Sequence, residues 1–355
     1  MHKNNASLVE ELSVLRIIVD AMGGDNAPEE IVQGCLDALY DDKGVEIEMI
    51  GDRRKIEKCL KGHAHDTSRL FITDAQEEIT NNDKPTEAIK KKQNSSIVIG
   101  LKKMKENSGD AFISAGSTGA LLAGSLLITG RIKGVHRPAL APVVPSEGGR
   151  RTMIIDAGMN TQIKPINYLQ FGIMGTEYMK KMFGVVSPKV GLVNVGTEES
   201  KGSNALKQAY DILKSSDINF VGNVEGRDIT DGNIDVVVCD GLTGNAMLKV
   251  MEGTGRYFMN YLKRIYSMSL ASKISFLMVS HELKKLKKQI DPEELGGTPI
   301  LGVNGIIYKC HGNSKAKAIK NTILKACSSA CSSVLEQMRS IFSRMDIGGV
   351  YDEAL

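Results

Sequence analysis

Six times along this chain an apolar, β-branched run ends in Asp, Gly, Thr or Asn and hands over to a helix. That repeated design constrains the fold more than any other feature. Its first instance is Ile17-Ile18-Val19-Asp20-Ala21-Met22-Gly23-Gly24-Asp25-Asn26-Ala27-Pro28. The run from Arg16 to Val19 reads as a strand buried on both faces. Gly23 and Gly24 open a turn, Asn26 is expected to cap the following helix, and Pro28, Glu29 and Glu30 suit its first turn. The design returns at residues 110–122, 151–160, 189–202, 218–228 and 235–245.

Alternating strands and helices predict an α/β fold: a three-layer α/β/α sandwich around a mostly parallel sheet. In such sheets the loops after the strands gather along one edge, where ligands bind. One polar loop is ordinary turn chemistry; six of one type predict a shared cleft. Residues 252–290 depart from the alternation. They read as a long helical stretch broken near 267–272, with Phe276-Leu277-Met278-Val279 followed by Lys284, Lys285, Lys287 and Lys288. Residues 295–305 read as a glycine-rich return, 306–310 as a last strand and 314–338 as one closing helix.

Composition removes several classes of function. The 355 residues can bury a large core, and 25% charged with 42% hydrophobic residues is ordinary for a soluble domain. A net charge of +3 is too small to argue for a nucleic-acid partner. The six cysteines form no Cys-x-x-Cys and lie mostly in apolar runs, which predicts reduced thiols in a cytoplasmic protein. Residues 1–15 lack the apolar core of a signal peptide, and no run approaches the roughly 18 apolar residues of a spanning helix.

Familiar catalytic signatures are missing as well. No Gly-x-Gly-x-x-Gly follows a strand, no Gly-x-Ser-x-Gly elbow occurs, and His281-Glu282 lacks a second histidine one turn on. Residues 196–203 resemble a phosphate loop, but Lys201 precedes Gly202 where that motif needs the reverse. A reaction without an enzyme-bound nucleophile is therefore expected. What remains is a set of glycine loops at helix starts, whose amides and partial positive charge suit phosphate. Gly116-Ser117-Thr118-Gly119 and Gly241-Leu242-Thr243-Gly244-Asn245 are the candidates, with Lys201 and Arg227 as cationic partners.

These loops carry a family resemblance. Residues 20–25, Ser114-Ala115-Gly116-Ser117-Thr118-Gly119-Ala120-Leu121, Gly130-Arg131-Ile132-Lys133-Gly134, Arg137-Pro138-Ala139-Leu140-Ala141-Pro142, residues 194–198, Gly222-Asn223-Val224-Glu225-Gly226-Arg227-Asp228 and residues 240–245 together resemble the phosphate acyltransferase family of the PlsX type. The match runs from Arg16 to the closing helix, so residues 16–345 are expected as one domain. Residues 1–15 and 346–355 stand outside it, and 252–290 form a helical insertion within it. Two positions depart from the family pattern. Asn26 stands where the family has histidine, and Ala157-Gly158-Met159-Asn160 replaces Val-Gly-Ala-Asn; Asn160 and Lys164-Pro165 are retained.

The resemblance implies an acyltransferase that joins inorganic phosphate to a fatty acyl group carried on acyl carrier protein. Its acyl phosphate would feed glycerol-3-phosphate acylation in phospholipid synthesis. It also implies a fold like that of phosphotransacetylases and isopropylmalate dehydrogenases, a homodimer, and no metal or organic cofactor. Phosphate would be the nucleophile, so positioning and oxyanion stabilisation would supply catalysis. Lys201 is then expected to neutralise phosphate or oxyanion charge and Asn245 to hydrogen-bond the oxyanion. Gly23, Gly24, Ser117, Thr118, Gly119, Asn160, Lys164, Gly196, Thr197, Arg227, Thr243 and Gly244 would bind substrate or phosphate. Asp20, Asp25, Asp156, Glu225 and Asp240 would orient these groups, since bare carboxylates repel an anion.

In the same picture helices after Glu252 pack across the dimer and Phe276, Leu277 and Met278 face the membrane surface, near the downstream glycerol-phosphate acyltransferase. The bland reading of that apolar run is dimer core. Arg131, Lys133 and Arg137, or Lys90 to Lys92, would dock the acidic carrier. Two other readings stay open: a decarboxylating dehydrogenase using nicotinamide and a divalent metal, and a membrane-associated scaffold for lipid enzymes.

Overall fold

A computed structural model describes residues 14–63, 65–290 and 292–345, without the side chains of 284–290 and 292. The expected N-terminal extension (nearly all of 1–15), the tail at 346–355 and the side chains of Lys284, Lys285, Lys287 and Lys288 thus lie outside the described residues. In chain order the elements are β1 (Leu15–Asp20), α1 (Glu29–Asp41), β2 (Val45–Gly51), α2 (Arg53–Leu60), β3 (Leu70–Asp74), α3 (Pro85–Lys91), α4 (Ser96–Lys105) and β4 (Ala111–Ser114). Then follow α5 (Thr118–Gly124), β5 (Ala139–Leu140), β6 (Val143–Pro145), β7 (Arg151–Ile155), α6 (Pro165–Phe183), β8 (Val190–Val193), α7 (Asn204–Lys214), β9 (Phe220–Val224) and β10 (Val236–Val238). The chain continues through α8 (Gly241–Ser267), α9 (Leu270–Ile290), α10 (Pro292–Leu295), β11 (Thr298–Leu301), β12 (Ile306–Lys309), α11 (Ala316–Cys331) and α12 (Val334–Arg344).

The expected α/β layering is present, and the strands divide between two sheets. One has the order β3-β2-β1-β4-β12-β11-β5, the other β6-β7-β10-β8-β9. Pairing is parallel except at β11, which runs against β12 and β5, and at β6, which runs against β7. Each sheet is covered on both faces. Ile17, Val19 and Ile47 pack with Val32, Ile319 and Ile323 of α1 and α11, while Ile18 and Phe112 pack with Val98 and Leu101 of α4. In the second sheet Met153, Val190 and Val236 meet Phe171 and Met174 of α6, and Ile154 and Val237 lie under Met247, Leu248 and Met251 of α8.

Local chemistry explains most boundaries. The Asp52 carboxylate accepts from the Arg54 and Lys55 amides and starts α2. Pro165 opens α6 and Gly184, left-handed at φ 67°, closes it. Four expectations change. Asn26 does not cap α1: Pro28 holds that position, and Asn26 Nδ2 instead donates to the Asn313 and Ser314 carbonyls at 3.1 and 3.3 Å. The long helical stretch starts at Gly241, so the loop 241–245 is itself the first turn of α8. The closing helix is two helices, parted where Ser333 turns left-handed at φ 54°. Strands β5, β6 and β11 went unseen because two to four residues among prolines and glycines carry too little periodicity to read.

The two sheets meet in a buried hydrogen-bonded chain. The Tyr178 and Tyr308 hydroxyls lie 2.9 Å apart, and Tyr308 reaches Ser329 Oγ at 2.6 Å, all three residues being buried. Tyr308→Phe deprives both neighbours of a partner and is expected to cost about 1–3 kcal/mol. Urea unfolding should show a lower midpoint with an unchanged slope.

Candidate active site

The candidate residues lie on two groups of strand-end loops, one from each sheet. In the first, Asp20 at the end of β1 is buried, and its carboxylate accepts from Ser114 Oγ at 2.6 Å and from the Met22 amide at 3.1 Å. Burial pushes the Asp20 carboxyl up, and these donors pull against it. A Cβ on Gly23 would lie 2.5 Å from the Gly116 nitrogen, and Gly24, at φ 104°, packs against the Gly312 carbonyl. Gly23 and Gly24 therefore let the loops after β1, β4 and β12 approach one another, rather than opening room for substrate. The Asp25 amide closes this group on the Gly312 carbonyl at 2.7 Å.

In the second group Asp156, fully buried after β7, accepts from the Leu140, Met159 and Asn160 amides and from Asn160 Nδ2, at 2.6 to 3.2 Å. Burial raises its carboxyl, and the four donors oppose that. Asn160 also donates to the Pro138 carbonyl at 2.7 Å, so its amide nitrogen is spent on structure and is not free for phosphate. A Cβ on Gly244 would fall 2.0 Å from the Asp156 carbonyl oxygen, which seats the first turn of α8 directly on this loop.

The expected amide cradle at 241–244 is already filled. Asp240 accepts from the Leu242 and Thr243 amides and from Thr243 Oγ1, the Gly244 amide bonds the Asp240 carbonyl, and the Gly241 amide bonds that of Asn160. Asn245 differs. It is exposed beside Gly158, 3.8 Å from where that residue's Cβ would be, and among the described residues nothing bonds its carboxamide. The start of α5 differs too: Ser117 holds the cap position without a side-chain bond to the amides of that turn, which leaves Thr118 and Gly119 the anion-receptive pair.

The expected cations sit at the rim. Gly196, Thr197 and Lys201 share the loop between β8 and α7, which Asn194 and Asn223 brace by donating to the Lys201 and Glu198 carbonyls. Lys201 is exposed, with Nζ 3.7 Å from Glu198, and the structure shows no contact between it and Asn245. Arg227 is exposed and pairs with Glu225 at 2.5 Å on the turn after β9. Lys164 stands at the start of α6, where its amide donates to Asn167 Oδ1. Phe276, Leu277 and Met278 lie far along the chain on α9; the Phe276 ring packs tilted against that of Tyr266 of α8, centroids 5.3 Å apart, and the hairpin turns at Met268 and Ser269.

Sequence reasoning missed one cluster. Helix α8 carries Glu252 across to the loop after β12, where Glu252 accepts from Lys249 at 2.7 Å and meets His311 Nε2 at 3.5 Å. Lys309, buried at the end of β12, lies in the fields of Asp20, Asp25 and Lys249 and donates to the Cys310 carbonyl; burial lowers its ammonium. Burial likewise lowers His311, against the pull of Glu252. A charged residue ending an apolar strand was the signal. Among the described residues no group of three or more His, Cys, Asp or Glu side chains is placed to hold a metal ion.

Two helix-flanked, mostly parallel sheets define an α/β fold of the kind seen in phosphotransacetylases. A phosphotransacetylase from Streptococcus pyogenes superposes with a TM-score of 0.63 at 14% identity, over 90% of this chain and 94% of that one. A branched-chain phosphotransacylase from Enterococcus faecalis gives 0.55 at 12%, over 89% and 99%. A 4-hydroxythreonine-4-phosphate dehydrogenase from Klebsiella pneumoniae gives 0.50 at 13%, over 89% and 99%.

Sequence narrows the class. The family described as "Fatty acid synthesis protein" matches residues 15–337. A phosphate acyltransferase of Acetivibrio thermocellus is 54% identical over 331 residues, 93% of this chain and 97% of the relative. One from Caldanaerobacter subterraneus is 50% identical over 312 residues, 88% and 92%. The chain belongs to the phosphate acyltransferase (PlsX) family and is an acyltransferase.

The glycines separate packing from function. Gly244→Ala drives a methyl into the Asp156 carbonyl and is expected to cost on the order of 3 kcal/mol or more. Gly253→Ala, on α8 with nothing within 4 Å, should stabilise by about 0.5–1 kcal/mol. Thermal unfolding of the two variants checks both signs.

Proposed function

We propose that the chain moves a fatty acyl group from the thioester of acyl carrier protein to inorganic phosphate, giving an acyl phosphate for glycerol-3-phosphate acylation in phospholipid synthesis. One observation carries the direct route. The thiol at the end of β10, Cys239, is buried and donates to the Asp156 carbonyl; burial and the Asp156 and Asp240 charges hold it protonated. Cys310 at the end of β12 is likewise pushed up by burial. A thiol kept neutral is a poor nucleophile, so an acyl-enzyme through either is disfavoured and phosphate attacks the thioester itself.

In that step a phosphate oxygen bonds the carbonyl carbon, the carbonyl oxygen takes up negative charge, and the C–S bond then breaks to release the carrier thiolate. The Asn245 carboxamide, with no partner to give up, donates to the oxyanion. The Thr118 and Gly119 amides with Ser117 hold phosphate, and Lys201 swings from Glu198 to neutralise it. Thr197, Gly196, Lys164, Arg227 and Thr243 line the approach, and Asp20, Asp25, Asp156, Glu225 and Asp240 keep the loops in place.

For the carrier, the exposed Arg131, Lys133 and Arg137 are favoured over α3, because Lys91 and Lys92 are already paired with Glu87 and Asp83. Their loop ends at Pro138, whose carbonyl Asn160 holds beside the site. The protein acts as a homodimer on the cytoplasmic face of the membrane. The support is the exposed apolar surface of the hairpin: Tyr257 and Tyr261 on α8, Met268 and Leu270 at the turn, Leu277 and Met278 on α9. No described helix is long and apolar enough to cross a membrane.

Acylated carrier plus phosphate, followed by thiol release, tests the chemistry. Asn245→Ala should lower kcat by about 10²–10³, and Lys201→Ala should lower kcat/KM for phosphate by about tenfold or more, with melting unchanged. Turnover near wild type in both would overturn the assignment. Leu277→Asp should cut sedimentation with anionic vesicles by about threefold or more while the protein stays dimeric; equal pelleting removes the membrane contact.

A further inference from the structure

Beside the site lies an open cavity of about 840 Å³ that none of the residues assigned above explains. It runs between one face of α8, strand β6 with the residues before it, and the segment from α10 to α11. Val143, Leu248, Met251, Met259, Leu295 and Ala318 supply its apolar lining. Of the polar groups that share the wall, Glu252, His311 and Lys325 are already engaged, while Arg256, Asn260 and Lys263 of α8 also line it. Glu252 is bonded to Lys249 and faces His311, and Lys325, its ammonium lowered to about 8 by burial, donates to the Leu295 and Gly297 carbonyls at 3.2 Å.

We propose that this cavity takes the hydrocarbon chain of the acyl donor, with the thioester end at Asn245; the proposal rests on the acyl-transfer reading above. Three features select an acyl chain. Leu248 follows Asn245 by one turn of α8, so the cavity begins where the reacting carbonyl would be held. Its volume lies within the ~300–1,000 Å³ typical of small-molecule pockets. The apolar side chains of its wall favour methylenes. Gly255 lines the cavity with nothing within 4 Å of its Cβ position, so the wall has open space rather than packed neighbours.

The test fills the cavity from α8 at positions outside the reaction. Gly255→Leu adds bulk to a helical site with room for it, and Met259→Trp does so one turn on. Wild type should bind cis-parinaric acid, an 18-carbon fluorescent fatty acid, and release it to palmitate. Its kcat/KM should rise about fourfold per added methylene from hexanoyl carrier upward until the cavity is full. Both variants should bind the probe about tenfold or more weakly and lose palmitoyl transfer to match, while hexanoyl transfer stays within about twofold.

Absent probe binding by wild type, an equal loss for short and long chains, or a change of oligomeric state in light scattering that accounts for the loss overturns the proposal. Probe binding that the variants abolish, in a protein that forms no acyl phosphate from any donor, upholds the chain site and overturns the reaction instead.

Discussion

The carboxylate of Asp156 is the joint on which the site depends. It sits at no solvent exposure and gathers four N–H donors, one of them from Leu140 in the other sheet. A buried carboxylate is costly unless every lone pair is met; here that requirement dictates where three loops must lie. Removing the side chain would leave the Leu140, Met159 and Asn160 amides without acceptors and uncouple one group of loops from the other. Asp20 does the same for the loops after β1 and β4 on a smaller scale, through Ser114 and Met22.

A rigid frame of this kind suits a reaction whose reactants bring their own nucleophile and leaving group. In the proposed reaction the protein holds phosphate and a thioester in line and places a donor where charge appears. The carboxylates of Asp20, Asp156 and Asp240 are each met by donors within the frame, which fixes the loops in place. The exposed members, Asn245 and Lys201, stay available because nothing structural claims them beyond the weak Glu198 contact. Helix α8 ties these roles together. It starts on Asp156, presents Asn245 in its first turn, walls the apolar cavity with Leu248 and Met259, and meets His311 through Glu252.

Much of this was legible in the chain. Strands that end in Asp, Gly or Thr located the loops after β1, β4, β7, β8, β9 and β10, because period and composition are local properties. Roles that depend on who accepts from whom were not legible. Asn160 reads as a ligand and is a strut to Pro138; Gly241 to Gly244 read as free amides and are filled by Asp240 and Asn160; Asn26 reads as a cap and pins the loop before α11. Glu252, His311 and Lys309 were passed over because their meeting spans some sixty residues and needs α8 to cross between sheets.

The sequence by itself determined the class of fold, the family and the loops that carry polar groups, since each is written in short-range pattern. The tertiary structure alone decided that the strands share out into two sheets, and which amides remain free. It also decided that one face of α8 borders an open cavity. The physical reason is that a hydrogen bond or a void belongs to a pair of surfaces. Neither surface, read along its own stretch of chain, carries the other's address.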